Sequence, residues 1–341
     1  MKHKKTILYV LIALIAVLFL GGATAYYLFF FRIFNINQTE YIYIRPGDKA
    51  EDVFKQIDQV ANPNTIGLKW VASYYHYSDR VHEGRYAVKP EDNAFTLVRR
   101  LVTGTQTPVN VTIPSVRTMD KLAAVIGQRL MLDSATIASR LMDTAYCASL
   151  GYTPQTIPCL FIPNTYQMYW NISADKFFAR MVQENKRFWN EKRTKEAQDA
   201  GLTPQQVIII ASIVDEETAK NDEKPIVAGL YINRFKQGML LQADPTVKFA
   251  YGDFTLRRIT GKHLATNSPY NTYIYKGLPP GPIRIPSIAG IESVLHYAHH
   301  DYLYMCAKED FSGYHNFAKT MAEHQLNARR YQQELNRRNI R

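Results

Sequence analysis

Cysteine is scarce: Cys147, Cys159 and Cys306 are the only three in a chain of 341 residues. Three thiols make no disulfide framework. Cys147 and Cys159 can pair in an oxidising compartment or stay as buried thiols, and sequence spacing does not choose between them. No Cys/His pattern has zinc-ligand spacing. His296, His299 and His300 stand at i, i+3 and i+4 near Asp301, which reads as a polar helix face rather than a metal site. Glycine and proline are not enriched, and 46% hydrophobic with 21% charged residues is globular composition, which excludes disorder and low complexity. There is no exact internal repeat. P-loop, dinucleotide fingerprint and Gly-x-Ser-x-Gly elbow are all missing, so nothing asks for a cofactor. No basic run is interleaved with aromatics, so the formal charge of +11 is not a nucleic-acid footprint. It suits an anionic cell envelope or membrane surface instead.

Long hydrophobic runs are also lacking, with one exception. Residues 6–31 carry no charge (TILYVLIALIAVLFLGGATAYYLFFF). That exceeds the roughly 20 residues a helix needs to cross a bilayer. Lys2, Lys4 and Lys5 precede the run and Arg32 follows it, which orients the amino terminus to the cytoplasm. Ala23-Thr24-Ala25 resembles a signal-peptidase site, but apolar residues continue through Phe31. The run outlasts the roughly 7–15 residues of a signal h-region, so an uncleaved, single-pass anchor in the inner (cytoplasmic) membrane is expected. Everything after Arg32 then lies outside the cytoplasm. The length suits two or three domains. The 23 Tyr and 16 Phe serve either aromatic cores or carbohydrate stacking.

After a short linker, Tyr41-Ile42-Tyr43-Ile44 has strand propensity, and Pro46-Gly47 turns the chain, with Asp48 as N-cap. Val53, Phe54 and Ile57 give helical period until Asn62-Pro63-Asn64 breaks it. A second helix follows over residues 65–77, then a strand over 84–88. Asn93 and Thr118 cap further helices, with a strand over 109–113 between them. Asp133-Ser134 opens another helix. Residues 161–170, dense in aromatics around Pro163-Asn164, read as a loop with a strand. Residues 174–200 read as one long polar helix. Gly201 ends it, and Thr203 with Pro204 starts the next.

That next stretch, VIIIASIVDEETAK over residues 207–220, runs from large aliphatics into Asp215, Glu216 and Glu217. At about 100° per residue, Glu217 falls within about 60° of Ile210, Ile213 and Val214, while Asp215 lies opposite. A carboxyl on an apolar stripe loses hydration, and its pKa rises, as a general acid near neutral pH requires. The competing reading is a buried helix ending in a solvated acidic turn.

Short polar motifs follow. They are Tyr231-Ile232-Asn233-Arg234, Leu241-Gln242-Ala243-Asp244-Pro245-Thr246, Ser268-Pro269-Tyr270-Asn271-Thr272-Tyr273, Gly277-Leu278-Pro279-Pro280-Gly281-Pro282-Ile283, Tyr302-Leu303-Tyr304 and His315-Asn316-Phe317 with Thr320, Glu323 and His324. Each alone is a turn or a backbone cap. In this order after SIVDEET, they closely resemble the endolytic murein transglycosylases, the MltG or YceG-like family. That family's Ser-Ile-Val-Glu-x-Glu-Thr signature appears as Ser212-Ile213-Val214-Asp215-Glu216-Glu217-Thr218, which puts its catalytic acid on Glu217. Asp215 departs from the signature. So do Ile162 and Asn164 in the aromatic-Pro-Asp-Thr-aromatic loop, here Ile162-Pro163-Asn164-Thr165-Tyr166.

The resemblance implies an α+β chain. Residues 1–32 hold the cytoplasmic tip and transmembrane helix, 40–108 a LysM-like βααβ module, 109–200 a connecting α/β region, and 201–341 a mixed α/β catalytic domain with the catalytic Glu on a buried helix. For the module, a plain spacer is the alternative. The implied reaction cuts the MurNAc-β-1,4-GlcNAc bond within peptidoglycan strands and leaves a 1,6-anhydro end. The substrate's own C6 hydroxyl is the nucleophile, so no second carboxylate is obligatory. Gln242, Tyr270, Asn271 and Thr272 are candidates for hydrogen bonds to acetamido and hydroxyl groups, and Tyr166 and Tyr273 for stacking on sugar faces. Thr246 and His315 complete the binding set. Asp244 either binds substrate or only starts a turn, and the polar loop residues have the alternative of satisfying backbone groups. Glycan strands are the partner, with peptidoglycan synthases as candidate neighbours. Two rival functions stand beside this one: a water-using muramidase pairing Glu217 with Asp244 or Glu216, and an inactive membrane-tethered glycan-binding scaffold.

Overall fold

A computed structural model of the chain describes residues 2–31, 33–61, 65–256 and 258–338. The Asn62-Pro63-Asn64 break and Arg32 lie outside the described residues. Two compact units emerge. One comprises Met1–Asn110, Arg129–Met131 and Gln167–Ile172, and the other comprises Val111–Gln128, Leu132–Tyr166 and Ser173–Arg341.

The first unit opens on α1 (Lys2–Phe30). Its Lys5–Tyr27 segment has a mean hydropathy of 2.6 and none of it is buried, the length and composition of a membrane span. β1 (Glu40–Ile44), α2 (Ala50–Ala61), α3 (Thr65–Tyr74) and β2 (Gly84–Val88) follow. β1 and β2 pair antiparallel with Ile42 opposite Tyr86, and both side chains are buried. α2 turns Ala50, Val53, Ile57 and Ala61 onto that sheet, one face of a 3.6-residue period. Asp48 does not cap α2: its carboxylate accepts from the Arg45 amide at 2.8 Å and closes the turn. α4 (Ala94–Val102) is capped by Asn93 as expected and completes the core with Leu97, Val98 and Leu101. Arg100 grips buried Asp92 through both terminal nitrogens, at 2.6 and 2.9 Å.

β3 (Val109–Thr112) and β4 (Thr165–Met168) form a two-stranded sheet. Between them come α5 (Met119–Gly127), α6 (Ser134–Met142) and α7 (Thr144–Ser149). Cys147 and Cys159 are free, buried thiols. The expected long helix over 174–200 is two, α8 (Ala174–Phe188) and α9 (Glu191–Asp199). The chain leaves helical geometry at Trp189, and the Asn190 side chain restarts it by accepting from the Arg193 amide at 3.0 Å.

α10 (Pro204–Glu217) is the core of the second unit. Thr203 and Gln206 cap it reciprocally, and Pro204 occupies the first turn. Residues 207–214 are all buried, so the helix has no solvent face over that stretch. Against it pack α9, α11 (Lys224–Lys236), α12 (Asp244–Tyr251) and α14 (Ile288–Leu295); α13 (Gly261–Leu264) lies against α12. α14 stops at Leu295, so the three histidines after it share no helix face. His300 instead braces backbone, with Nε2 2.9 Å from the Ile226 carbonyl. There α11 approaches so closely that a Cβ on Gly229 would sit 2.4 Å from the Ala298 carbonyl oxygen. The antiparallel pair β5 (Tyr304–Ala307) and β6 (His315–Ala318) packs under α15 (Met321–Arg337).

Candidate active site

The last turn of α10 delivers three carboxylates in three directions, and each meets a different fate. Asp215 is buried against Lys224 Nζ at 2.8 Å and accepts from the Ser287 amide at 2.5 Å. Glu216 is held by Arg117 at 2.7 and 2.8 Å and by Arg284 at 3.0 Å. Glu217 makes no ion pair among the described residues. Its Oε1 accepts a 2.5 Å hydrogen bond from the Tyr231 hydroxyl, Oε2 takes none from the described residues, and the side chain lines a cavity of about 300 Å³.

Burial pushes the Glu217 carboxyl up to about 7, and the Asp244 and Glu216 charges push the same way; the Tyr231 hydrogen bond and Lys248 work against them. Its place at the carbonyl end of α10 is a further reason to stay protonated, because the helix dipole is negative there. Tyr231 is itself buried and held well above the ordinary tyrosine range by burial and by Glu217, so it remains a proton donor in the bond.

Gln242, Asp244, Tyr273 and His315 line the same cavity as Glu217. Gln242 has φ of 51°, left-handed for a residue with a side chain, and its amide donates to the Thr272 carbonyl at 3.1 Å. Such strain gathers where a side chain must be aimed. Asp244 is the first residue of α12, where a carboxylate is favoured by the dipole, and it accepts from the Tyr273 hydroxyl at 2.6 Å. His315 is fixed by Glu223, which accepts its amide at 2.6 Å and lies 3.0 Å from Nδ1.

The remaining sequence candidates stand outside the cavity wall. Thr246, Asn271 and Thr272 are buried. Asn271 ties the Leu264 and Thr266 carbonyls at 2.9 Å each, and the Thr246 and Thr272 hydroxyls meet at 2.8 Å beneath the Gln242 turn. Their polar groups serve backbone, which is the alternative the sequence left open. Tyr270 packs on Phe249 with ring centroids 4.7 Å apart. Tyr166 is buried and donates to the Ile162 carbonyl at 2.8 Å, so it presents no face for stacking.

Sequence reasoning passed over four residues. Tyr231 and Arg234 stood in a quoted motif, but nothing in a YINR tetrapeptide says which side chain faces a cavity. Glu223 is a buried acid with no local pattern to mark it. His324, also on the cavity wall, was noted only as a residue trailing the last motif.

The arrangement offers one proton donor tuned near neutrality, a second carboxylate, and a groove edged by tyrosine, glutamine, arginine and histidine. The YceG-like family model matches residues 42–330. The endolytic murein transglycosylase of Bacillus subtilis (strain 168) is 38% identical over 126 residues, 37% of this chain and 34% of that one. That of Streptococcus pneumoniae serotype 2 (strain D39 / NCTC 7466) is 25% identical over 274 residues, 70% of this chain and 49% of that one. The chain thus spans less than half the length of these curated relatives. A crystal structure of a yceG-like protein from Listeria monocytogenes superposes with a TM-score of 0.54 at 26% identity, covering 85% of this chain and 99% of that one.

Proposed function

The chain belongs to the YceG-like family, and from that membership we propose that it is a membrane-anchored endolytic peptidoglycan transglycosylase with Glu217 as its catalytic acid. The observation that carries the proposal is a carboxyl raised to about 7, pinned through one oxygen by Tyr231, on the wall of a cavity. A carboxyl with that pKa is substantially protonated at neutral pH and still a competent base once it has given its proton up.

The mechanism needs Glu217 twice. Protonated, it donates to the glycosidic oxygen as the bond to muramyl C1 breaks through an oxocarbenium-like state. The resulting carboxylate takes the proton of the C6 hydroxyl, whose oxygen closes on C1 to give the 1,6-anhydro ring. The acid ends as it began, and no water enters. Tyr231 keeps its hydrogen bond throughout and stabilises the anionic stage. Gln242, Tyr273 and His315 are placed to fix the sugars. The βααβ part of the first unit supports a LysM-like glycan-binding module over residues 40–108, with the catalytic domain over 201–341.

Asp244 supports a second reading, hydrolysis. It shares the cavity, and its charge acts on Glu217. A carboxylate so placed can activate water.

One digest separates the readings. Purified glycan strands are incubated with the full chain in solvent enriched in heavy oxygen, and the muropeptides are weighed. The transglycosylase product lacks a reducing end and has the hydrolase product's mass less one water. Glu217→Gln should lose activity by at least about 10²-fold, the usual contribution of general acid–base catalysis. Reducing ends carrying solvent oxygen would make this a hydrolase. A fully active Glu217→Gln would remove Glu217 from the mechanism.

A further inference from the structure

Arg234 on α11 is 6% exposed and lines the cavity. Its Nε donates to the Leu303 carbonyl at 2.5 Å, and Nη1 to the Leu240 and Leu241 carbonyls and Gln242 Oε1 at 3.1, 2.9 and 3.2 Å. Nη2 has no hydrogen-bond partner among the described residues. Several half-buried arginines meet acids: Arg100 meets Asp92, Arg193 meets Glu292 and Arg284 meets Glu216, whereas Arg85 lies over the Tyr41 ring instead. Among the described residues, Arg234 meets no acid. The groups acting on its charge are burial and three tyrosines, Tyr231, Tyr304 and Tyr273. A guanidinium withdrawn from water without a counter-charge is costly.

A second unsatisfied group sits beside it. The His324 ring stacks on Tyr304, centroids 5.5 Å apart, and the Arg234 Cζ lies 5.2 Å from the same ring. His324 also lines the cavity, and its buried Nδ1 has no hydrogen-bond partner among the described residues. Burial and the Arg234 charge both lower its pKa, so at neutral pH the ring is neutral and can donate through one nitrogen. One wall of the cavity therefore holds an uncompensated cation and an idle imidazole, together with the strained Gln242.

We propose that Arg234, with His324 beside it, forms an anion subsite that takes a carboxylate of the substrate glycan. This rests on the glycan reading above and names what that site recognises. The free Nη2 can donate to a carboxylate oxygen, and a hydrogen bond between two charged groups is about twice as strong as a neutral one. In murein, carboxylate is available from two sources: the lactyl ether of the muramyl ring where the peptide stem has been removed, and the acidic residues of the stem where it has not. Neutral polymers of N-acetylglucosamine offer neither. The subsite thus selects a muramyl strand over a chitin-like one.

The test uses full-length Glu217→Gln, which leaves bound glycan uncut, and measures affinity for three preparations of the same strands. The first keeps its stems. The second is stripped to the free lactyl carboxylate. The third is stripped and then methyl-esterified, so that no carboxylate is left. The Glu217→Gln chain should bind at least one carboxylate form about tenfold or more tighter than the ester, the scale of one charge-assisted hydrogen bond. Which form gains shows whether lactyl or stem is read. Adding Arg234→Gln should erase the difference between acid and ester. Equal affinity for ester and acid would overturn the subsite, as would an Arg234→Gln loss that is the same for both, the sign of a purely structural tie. Should Arg234→Gln fail to fold, the acid–ester comparison in Glu217→Gln alone decides. Strands cut by the wild-type chain with no carboxylate preference remove the subsite and keep the enzyme. No binding of any of the three, with no cutting, removes both.

Discussion

Glu217 carries a cost that can be measured apart from activity. Its carboxyl titrates near 7 in the folded chain against 4.5 for an ordinary glutamate. The folded state therefore holds more protons than the unfolded state between those values, and stability falls as pH rises through that window. Above about 7 the full penalty is present, on the order of 3 kcal/mol. Gln carries no charge to desolvate and keeps an oxygen for the Tyr231 hydroxyl. Glu217→Gln should therefore be no more stable than wild type at pH 4 and clearly more stable at pH 8. Urea midpoints at the two pH values check this, and a pH-independent difference would contradict the burial account. Tyr231→Phe tests the other side of the pair. The hydroxyl lowers the Glu217 pKa, so its loss should move the alkaline limb of the activity profile to higher pH. An unmoved limb would mean that Tyr231 does not tune the acid. The sequence set Glu217 one turn from the aliphatic Ile213 and Val214, and the structure puts its carboxyl on a cavity wall. The sequence left Tyr231 and Glu223 illegible because their roles come from side chains that meet only after folding.

At the scale of the element, α10 was readable as a buried helix with its cap and its first-turn proline, all local signals. The stripe read onto it was not there: every residue from 207 to 214 is covered, and a helix wheel has no face to find. What sorts the acids is the company at the helix end. Asp215 and Lys224 are 4% and 8% exposed in their side chains, so each compensates the other away from water. Asp215→Ala leaves the ammonium uncompensated and should cost about 3–5 kcal/mol. Glu216→Ala should cost less, because one partner, Arg117, is well exposed and the other, Arg284, keeps its hydrogen bonds to Ser115. Thermal unfolding of the two variants ranks them, and similar losses would show that Asp215 is not the structural acid. The same locality explains two misreadings. Asn190 is a visible N-cap, yet polar residues on both sides hid the break between α8 and α9. His296, His299 and His300 had helical spacing, but α14 ends first and the chain turns back to brace α11.

Over the whole molecule, composition and charge were more informative about setting than about architecture. One uncharged run, a globular remainder and few cysteines suggested an apolar helix and packed units, and the structure has a helix exposed over Lys5–Tyr27 that opens the first of two compact units. The division itself was not legible, because Arg129–Met131 and Gln167–Ile172 belong with the first unit although residues on either side do not. No local pattern announces a segment that returns to an earlier core. The apolar helix leads to a prediction of orientation. Lys5–Tyr27 has the hydropathy to span, and Lys2, Lys4 and Lys5 cluster at its start. Moving those ammonium groups across the bilayer is unfavourable, and short basic flanks stay on the cytoplasmic side. The chain should therefore cross once, with its amino terminus inside and residue 33 onward outside. Protease added to intact spheroplasts should remove nearly all of the chain and leave a protected amino-terminal fragment of α1. A mature protein beginning near Tyr26 would show cleavage in place of anchoring. Full protection from protease would place the cavity on the cytoplasmic side, where it has no access to glycan strands.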